Sequence, residues 1–258
     1  MKIREIIDYI EDWAPLGLQE EFDNSGLQVS RDVTVDCSGI LICLDVTEAV
    51  MGEAVSLGFN MVLSHHPLIY RPLRNVASDS YQGRCVIKAL DNGITVYSAH
   101  TSLDNAPEGV NWQMCRILSL KDTVPLSPKP GHPDAGMGRV GVLPEAESAE
   151  AFLSRVKKSF ECDVIMHSAP RGMIRKVAVC GGSGASYLHE AAASGADAYV
   201  TGELHYHDYF EPGLMAVALG HYESEHLTRE LMKERLEKAF PQLDIRITGI
   251  NTNEVHYL

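Results

Sequence analysis

Three short stretches carry imidazole and carboxylate groups at spacings that suit a metal. "SHHPLIY" (64–70) sets His65 beside His66. "AHTSLD" (99–104) places His100 four residues before Asp104, and "GHYESE" (220–225) places His221 four residues before Glu225. Such ligands serve Zn²⁺, Fe²⁺, Mn²⁺ or Co²⁺. Five or six of them around a central carboxylate suffice for two ions. Two ions ~3.5–4 Å apart can clamp a substrate oxygen and acidify a water between them. Either Asp104 or Glu225 could be the bridge. Singly the motifs are weak: an HH pair is commonly one core and one exposed histidine, and HxxxD or HxxxE recurs by chance. What joins them has to come from the elements that carry them.

Each motif closes an apolar, β-rich run. "SGILICLDV" (38–46), "NMVLSH" (60–65) and "ITVYSAH" (94–100) read as strands. "TEAVMGEAVSLG" (47–58) and "QGRCVIKALDNG" (82–93) lie between them as helices closed by Gly58 and Gly93. Ile3, Ile6, Ile7 and Ile10 form one face of an earlier helix over 2–13, and 108–120 is helical. This alternation predicts βαβ units around a parallel sheet. In such sheets ligands bind beyond the carboxyl ends of strands, where the motifs lie. Strands are also expected in "GRVGVL", "VAVCGG" (177–182), "DAYVTGE" (197–203) and "GLMAVALGH" (213–221), with helices near 148–160, 185–195 and 224–239.

The two halves repeat each other. At a shift of 137, "ILICLDVTEAVMGEAVSLGFNMVLS" lies on "VAVCGGSGASYLHEAAASGADAYVT" without a gap, matching Cys43 to Cys180, Glu53 to Glu190 and Gly58 to Gly195. At a shift of 121, "VYSAH" lies on "VALGH", which brings His100 onto His221. Generic likeness between βαβ units is the plainer explanation, and the ungapped Gly, Cys and Glu matches argue against it. The expected division is a first α/β repeat over 1–122, a Pro/Gly-rich linker over 123–138 and a second repeat over 139–258. The fold class is α/β: two duplicated repeats, each a mostly parallel sheet flanked by helices.

Composition narrows the function. The 258 residues carry a net charge of −13, which argues against a nucleic-acid backbone binder. A small anionic substrate stays possible because a metal reverses the local field. None of the six cysteines forms a CxxC pair. "MKIREIIDYIEDW" has no signal-peptide apolar core, and no run reaches the ~18 apolar residues of a membrane span. A cytoplasmic, reduced protein is expected.

Other polar features have two readings each. "CGGSGASY" (180–187) is either an anion cradle or simply a tight turn. His205 and His207, in "TGELHYHD", occupy the place of the HH motif in the second half and either line the same cavity or sit on the surface. Asn24 and Gln28 of "DNSGLQV" either approach the site or shape a turn. His132, His167, His189, His226 and His256 have no counterpart.

Together "DNSGLQV", "SHHPLIY", "SAHTSLDNAPEGVN", "GRVGVLPE", "CGGSGAS", "TGELHYHD" and "GHYESE" make the chain resemble the Nif-three-like family, often labelled GTP cyclohydrolase I type-two homologs. The resemblance runs from about residue 5 to the end and matches the short form, without the mid-chain inserted domain. It implies intertwined α/β repeats and two divalent metal ions per subunit, held by His65, His66, Asp104, His221 and Glu225. It places His100 near the metals, outside that ligand set. It also implies a toroidal homohexamer, a trimer of dimers.

The leading function is therefore a metal-dependent hydrolase acting on a small molecule, a nucleotide or another small anion, with His100 or His205 as proton shuttle. GTP ring opening is the family's label. Against a triphosphate, the chain has no P-loop and offers only Arg71 and Arg74 near the HH motif. The alternative is a non-enzymatic metal-binding or regulatory scaffold assembled as a ring. Hard, carboxylate-rich ligands favour chemistry over metal storage, which tends to use softer, mobile ones.

Overall fold

The computed structural model describes residues 1–210 and 213–256; residues 211–212 and 257–258, the last two closing the expected second repeat, lie outside the described residues. In chain order the elements are α1 (Ile3–Trp13), β1 (Gly26–Val29), β2 (Ile40–Cys43), α2 (Glu48–Leu57), β3 (Met61–Ser64), α3 (Tyr81–Asp91), β4 (Thr95–Ser98), α4 (Thr101–Asn105) and α5 (Val110–Ile117). Then follow β5 (Lys121–Lys129), β6 (His132–Ser148), α6 (Ala149–Ser159), β7 (Met166–His167), β8 (Met173–Cys180), α7 (Leu188–Ala193), β9 (Ala198–Thr201), β10 (Met215–Ala218), α8 (His221–Glu225), α9 (Thr228–Ala239) and β11 (Ile245–Ile247). No helix among the described residues is long and apolar enough to cross a membrane.

The chain forms two compact units. The first joins Met1–Leu103 to Thr228–Glu254; the second joins Asp104–Leu227 to Val255–Leu258. This differs from the expected division, because the C-terminal α9 and β11 belong with the N-terminal half. Residues 123–138 are no linker either: they build most of the hairpin β5–β6. Pro125 and Pro128 give this stretch the composition of a linker. Both sit on β5, which ends the sheet, and an edge strand tolerates a residue that cannot donate to a second neighbour.

The first unit holds a five-stranded sheet in the order β1-β4-β3-β2-β11. The ladders β4-β3, β3-β2 and β2-β11 are parallel; β1 is antiparallel. Every residue of β2, β3 and β4 is buried, as expected of parallel strands covered on both faces. Helix α1 buries the expected Ile3, Ile6, Ile7 and Ile10, plus Trp13. Helix α2 starts at an N-cap, the Thr47 side chain accepting from the Val50 N–H, and stops at Gly58 in the left-handed region (φ 69°).

The second unit holds a six-stranded mixed sheet in the order β5-β6-β8-β9-β10-β7, with β8-β9 and β9-β10 parallel. The duplication is exact in ladder register for the first two strands. Ile40 pairs with Met61 and Cys43 with Ser64; 137 residues on, Val177 pairs with Ala198 and Cys180 with Thr201. At the third strand the register departs from the sequence match. Ser64 pairs with Ser98 and Thr201 with Ala218, a shift of 120, one less than the shift that aligns His100 with His221. The second half has one extra residue between strand end and histidine. The helix expected near 224–239 is accordingly two: α8, which begins at His221, and α9.

Candidate metal centre

The first unit gathers three histidines at the ends of β3 and β4. The parallel ladder carries on past β3, with His65 N–H donating to Cys43 O (3.2 Å) and His66 N–H to Leu44 O (2.9 Å). The Ser64 hydroxyl donates to His66 O (2.8 Å) and lies 2.7 Å from the Ser98 hydroxyl, which fixes the turn. His65 is fully buried, and His66 and His100 are partly so. The ring centroids of His65, His66 and His100 lie 5.0–5.5 Å apart. One nitrogen from each ring falls within 4.8 Å of the others, close enough for shared ligation.

The other ring nitrogens define which atom is offered. His65 Nδ1 meets the Ala99 carbonyl at 2.8 Å, His66 Nδ1 meets Asp45 Oδ1 at 2.7 Å, and His100 Nδ1 meets Asp23 Oδ1 at 2.6 Å. An oxygen acceptor at Nδ1 fixes the proton there, so the lone pair lies on Nε2. Metal-ligating histidines are held in this way, their second N–H given to a carboxylate or carbonyl.

Those acceptors are themselves tied down. Asp45 Oδ2 accepts from the Thr252 hydroxyl (2.9 Å). Burial would raise the Asp45 carboxyl, but the His66 hydrogen bond and charge, with Thr252, outweigh it and hold it below its ordinary value. Asp23 accepts from the Ser25 hydroxyl and from the N–H and hydroxyl of Thr101. There too burial pushes up, and His100, Thr101 and Ser25 together pull the carboxyl far below the usual range. Asn24 and Gln28 serve the turn: Asn24 Nδ2 donates to Ile69 O (2.6 Å), and Gln28 Oε1 accepts from Ile69 N–H (3.1 Å).

In the second unit His221 follows the same rule. Its Nδ1 meets Glu203 Oε1 at 3.0 Å, while Nε2 lies 3.2 Å from Glu225 Oε2. Glu225 is only 3% exposed, a poor place for a carboxylate without a cation or donor. Glu203 also accepts from the Ser183 hydroxyl; burial raises its carboxyl, and Ser183 and His221 bring it below its ordinary value. Asp104, on α4, is buried, and its backbone carbonyl accepts from Asn111 Nδ2 (3.0 Å).

The Gly-rich turn packs closely against the candidate ligands. Gly181 N–H donates to Asn111 Oδ1, Gly182 N–H to the Ser224 hydroxyl and Gly184 N–H to Gly182 O. Those donors are engaged within the unit. Gly182 has φ 60°, and a Cβ there would stand 2.5 Å from Glu225 Oε1 and 3.3 Å from His221 Nε2. Its missing side chain makes room for the two ligand candidates.

His205 and His207 take the surface reading. His205 is exposed, with Nδ1 3.1 Å from Asp208 Oδ2, and His207 packs its ring near Tyr206 and Phe210, both exposed. Sequence reasoning passed over Asp23, Asp45, Glu203, Asn111 and Thr252. Asp23 stood inside the quoted "DNSGLQV", where its chain neighbours drew notice instead.

The residues fit a metal by their chemistry: four histidines with lone pairs directed by oxygen acceptors, and a buried carboxylate against one of them. A profile of the Duf34/NIF3 (NGG1p interacting factor 3) family matches residues 1–254. The chain is 34% identical to a GTP cyclohydrolase 1 type 2 homolog of Clostridium acetobutylicum, over 98% of this chain and 94% of the relative. It is 30% identical to the NIF3-like protein 1 of Drosophila melanogaster, over 81% and 72% of the two chains. Among solved structures, reduced HcgD from Methanocaldococcus jannaschii superposes with a TM-score of 0.82 at 31% identity, covering 97% of this chain and 98% of that one. A Staphylococcus aureus protein reaches a TM-score of 0.92 over 100% and 99%, a likeness of fold at 24% identity. By the profile over residues 1–254 and by these relatives, this chain belongs to the Duf34/NIF3 family.

Proposed function

We propose that the protein is a metal-dependent hydrolase, with His65, His66, Asp104, His221 and Glu225 holding a pair of divalent ions. The observation that carries this is the common posture of the histidines, each with Nδ1 against an oxygen acceptor, which puts the lone pair on Nε2. The relatives' name, GTP cyclohydrolase 1 type 2 homolog, supports a hydrolytic reading and makes nucleotides the first compounds to try. Bound ions would polarise a substrate oxygen and acidify water.

The protein's own groups do the rest. Asp45 and Glu203 orient His66 and His221. His100, backed by the buried Asp23 carboxylate, is the candidate for moving a proton at Nε2. His205, exposed and turned to Asp208, is the weaker candidate. The reading extends to a cytoplasmic protein with free thiols and to a toroidal homohexamer, a trimer of dimers.

The test has two stages. Elemental analysis of the purified protein should find divalent metal, and His65→Ala and Glu225→Ala should each lower it with the fold retained. Metal content untouched by both changes would refute the ligand set. A screen of nucleotides and phosphoesters with Mn²⁺, Zn²⁺ or Fe²⁺ should then give turnover that His66→Ala loses; no difference between the two would favour the metal-binding scaffold. Light scattering checks the ring, and a monomer would exclude it.

A further inference from the structure

A cavity of about 650 Å³ lies within the first unit and shares His66, Asp45 and Thr252 with the histidine network. The volume suits one small organic ligand. Leu68, Ile250 and the ring of Tyr81 give it apolar surface. Its charge is one-sided. Glu48 and Glu254 join Asp45 in the lining, and no Lys or Arg is among the described residues that line it.

Arg84 and Lys88, which reach the lining residue Glu48, are engaged in hydrogen bonds there. Arg84 Nε donates to Glu48 Oε1 (2.7 Å) and Arg84 Nη1 to Ser78 O (2.9 Å), while Lys88 Nζ reaches the Glu48 backbone carbonyl (3.4 Å). A triphosphate here would meet the carboxylates of Asp45 and Glu254, and no Lys or Arg among the described lining residues answers it. Asp45 accepts from His66 and Thr252, and Glu48 from Arg84; the remaining lone pairs of these carboxylates and of Glu254 suit the opposite partner, a molecule that gives N–H or O–H donors.

We propose that this cavity binds an uncharged or cationic ring compound carrying hydrogen-bond donors, of nucleoside size, and discriminates against phosphorylated forms of the same ring. The inference rests on the hydrolase reading for its purpose, because the cavity adjoins the ligand candidate His66. It turns that reading away from a nucleoside triphosphate and towards a dephosphorylated substrate. The reaction that supplies it would then be one that removes phosphate.

The probe series is guanosine, GMP and GTP, one ring with rising negative charge, titrated calorimetrically into the metal-loaded full-length protein. Guanosine should bind, and GTP should bind at least about tenfold more weakly. Glu48→Gln with Glu254→Gln should narrow that gap. Ala49→Trp fills the cavity from an exposed position on α2 and should abolish guanosine binding with metal content unchanged. Tyr81→Ala, at a half-exposed ring, should weaken it without filling the space.

Tighter binding of GTP than guanosine, no saturable guanosine binding, or guanosine binding that survives Ala49→Trp would each overturn the proposal. The same titrations on metal-stripped protein separate the two readings. Guanosine binding that persists there and follows the cavity variants keeps the cavity even if no metal-dependent turnover is found.

Discussion

Asp45→Asn isolates the link between the fold and metal affinity. The change keeps the shape of the side chain and removes the charge that accepts from His66 Nδ1 at 2.7 Å. A hydrogen bond to a charged group is worth about 1.5–3 kcal/mol. The Asp45 side chain is 37% exposed, so water can stand in for part of it, and the low end applies. About 1.4 kcal/mol is a tenfold weakening, at the lower edge of the 10–100-fold known for groups that orient metal ligands. Thr252→Val removes the hydroxyl that donates to the other oxygen at 2.9 Å. Its effect is indirect and should be about fivefold in the same direction, with Thr252→Ser restoring affinity. The assay is titration of Co²⁺ into stripped protein, followed by visible absorption and competed with Zn²⁺. The two changes act through one carboxylate, so the double variant should fall short of their sum. A Co²⁺ affinity of Asp45→Asn within about twofold of the parent, with native circular dichroism, would refute the orienting role.

Further outcomes follow from other residues. Gly182→Ala should cost about 1–2 kcal/mol from the left-handed backbone alone and should also displace Glu225; an unchanged melting curve with unchanged metal content would contradict the packing described. Asn111→Ala leaves the Asp104 carbonyl and the Gly181 N–H without their side-chain partner, at about 1–3 kcal/mol per group in chemical denaturation; a loss below about 0.5 kcal/mol would show that Asn111 does not hold them. Burial pushes the Cys85 thiol up to about 11 and those of Cys115 and Cys162 up to about 12, so they stay protonated at pH 8. Ellman's reagent should therefore leave these three unreacted in the native protein and reach them on denaturation.

The strand–helix alternation, the 137-residue repeat and the histidines at strand ends were legible because each rests on local pattern. Burial on both faces makes β2, β3 and β4 continuous apolar runs. The residues that orient the histidines were not legible, because nothing local marks them. Asp23 reaches His100 across 77 positions and Thr252 reaches Asp45 across 207. The hairpin β5–β6 was hidden because proline normally breaks strands, and only its place at a sheet edge admits it. The one-residue offset before His221 was invisible for a further reason. An ungapped match prefers identical residues, whereas ladder register follows backbone hydrogen bonds.

The discontinuity of the first unit bears on how the protein is made. Residues 104–227 can emerge from the ribosome and close their own sheet while β2 still lacks its neighbour β11. Thr252 is synthesised later still. A nascent chain thus carries His65, His66 and His100 long before the carboxylate behind His66 is secured. A chain cut short between His221 and Thr252 would keep every candidate histidine and still lack that anchor. On the proposed metal reading, full metal affinity would be expected only of chains completed through Thr252.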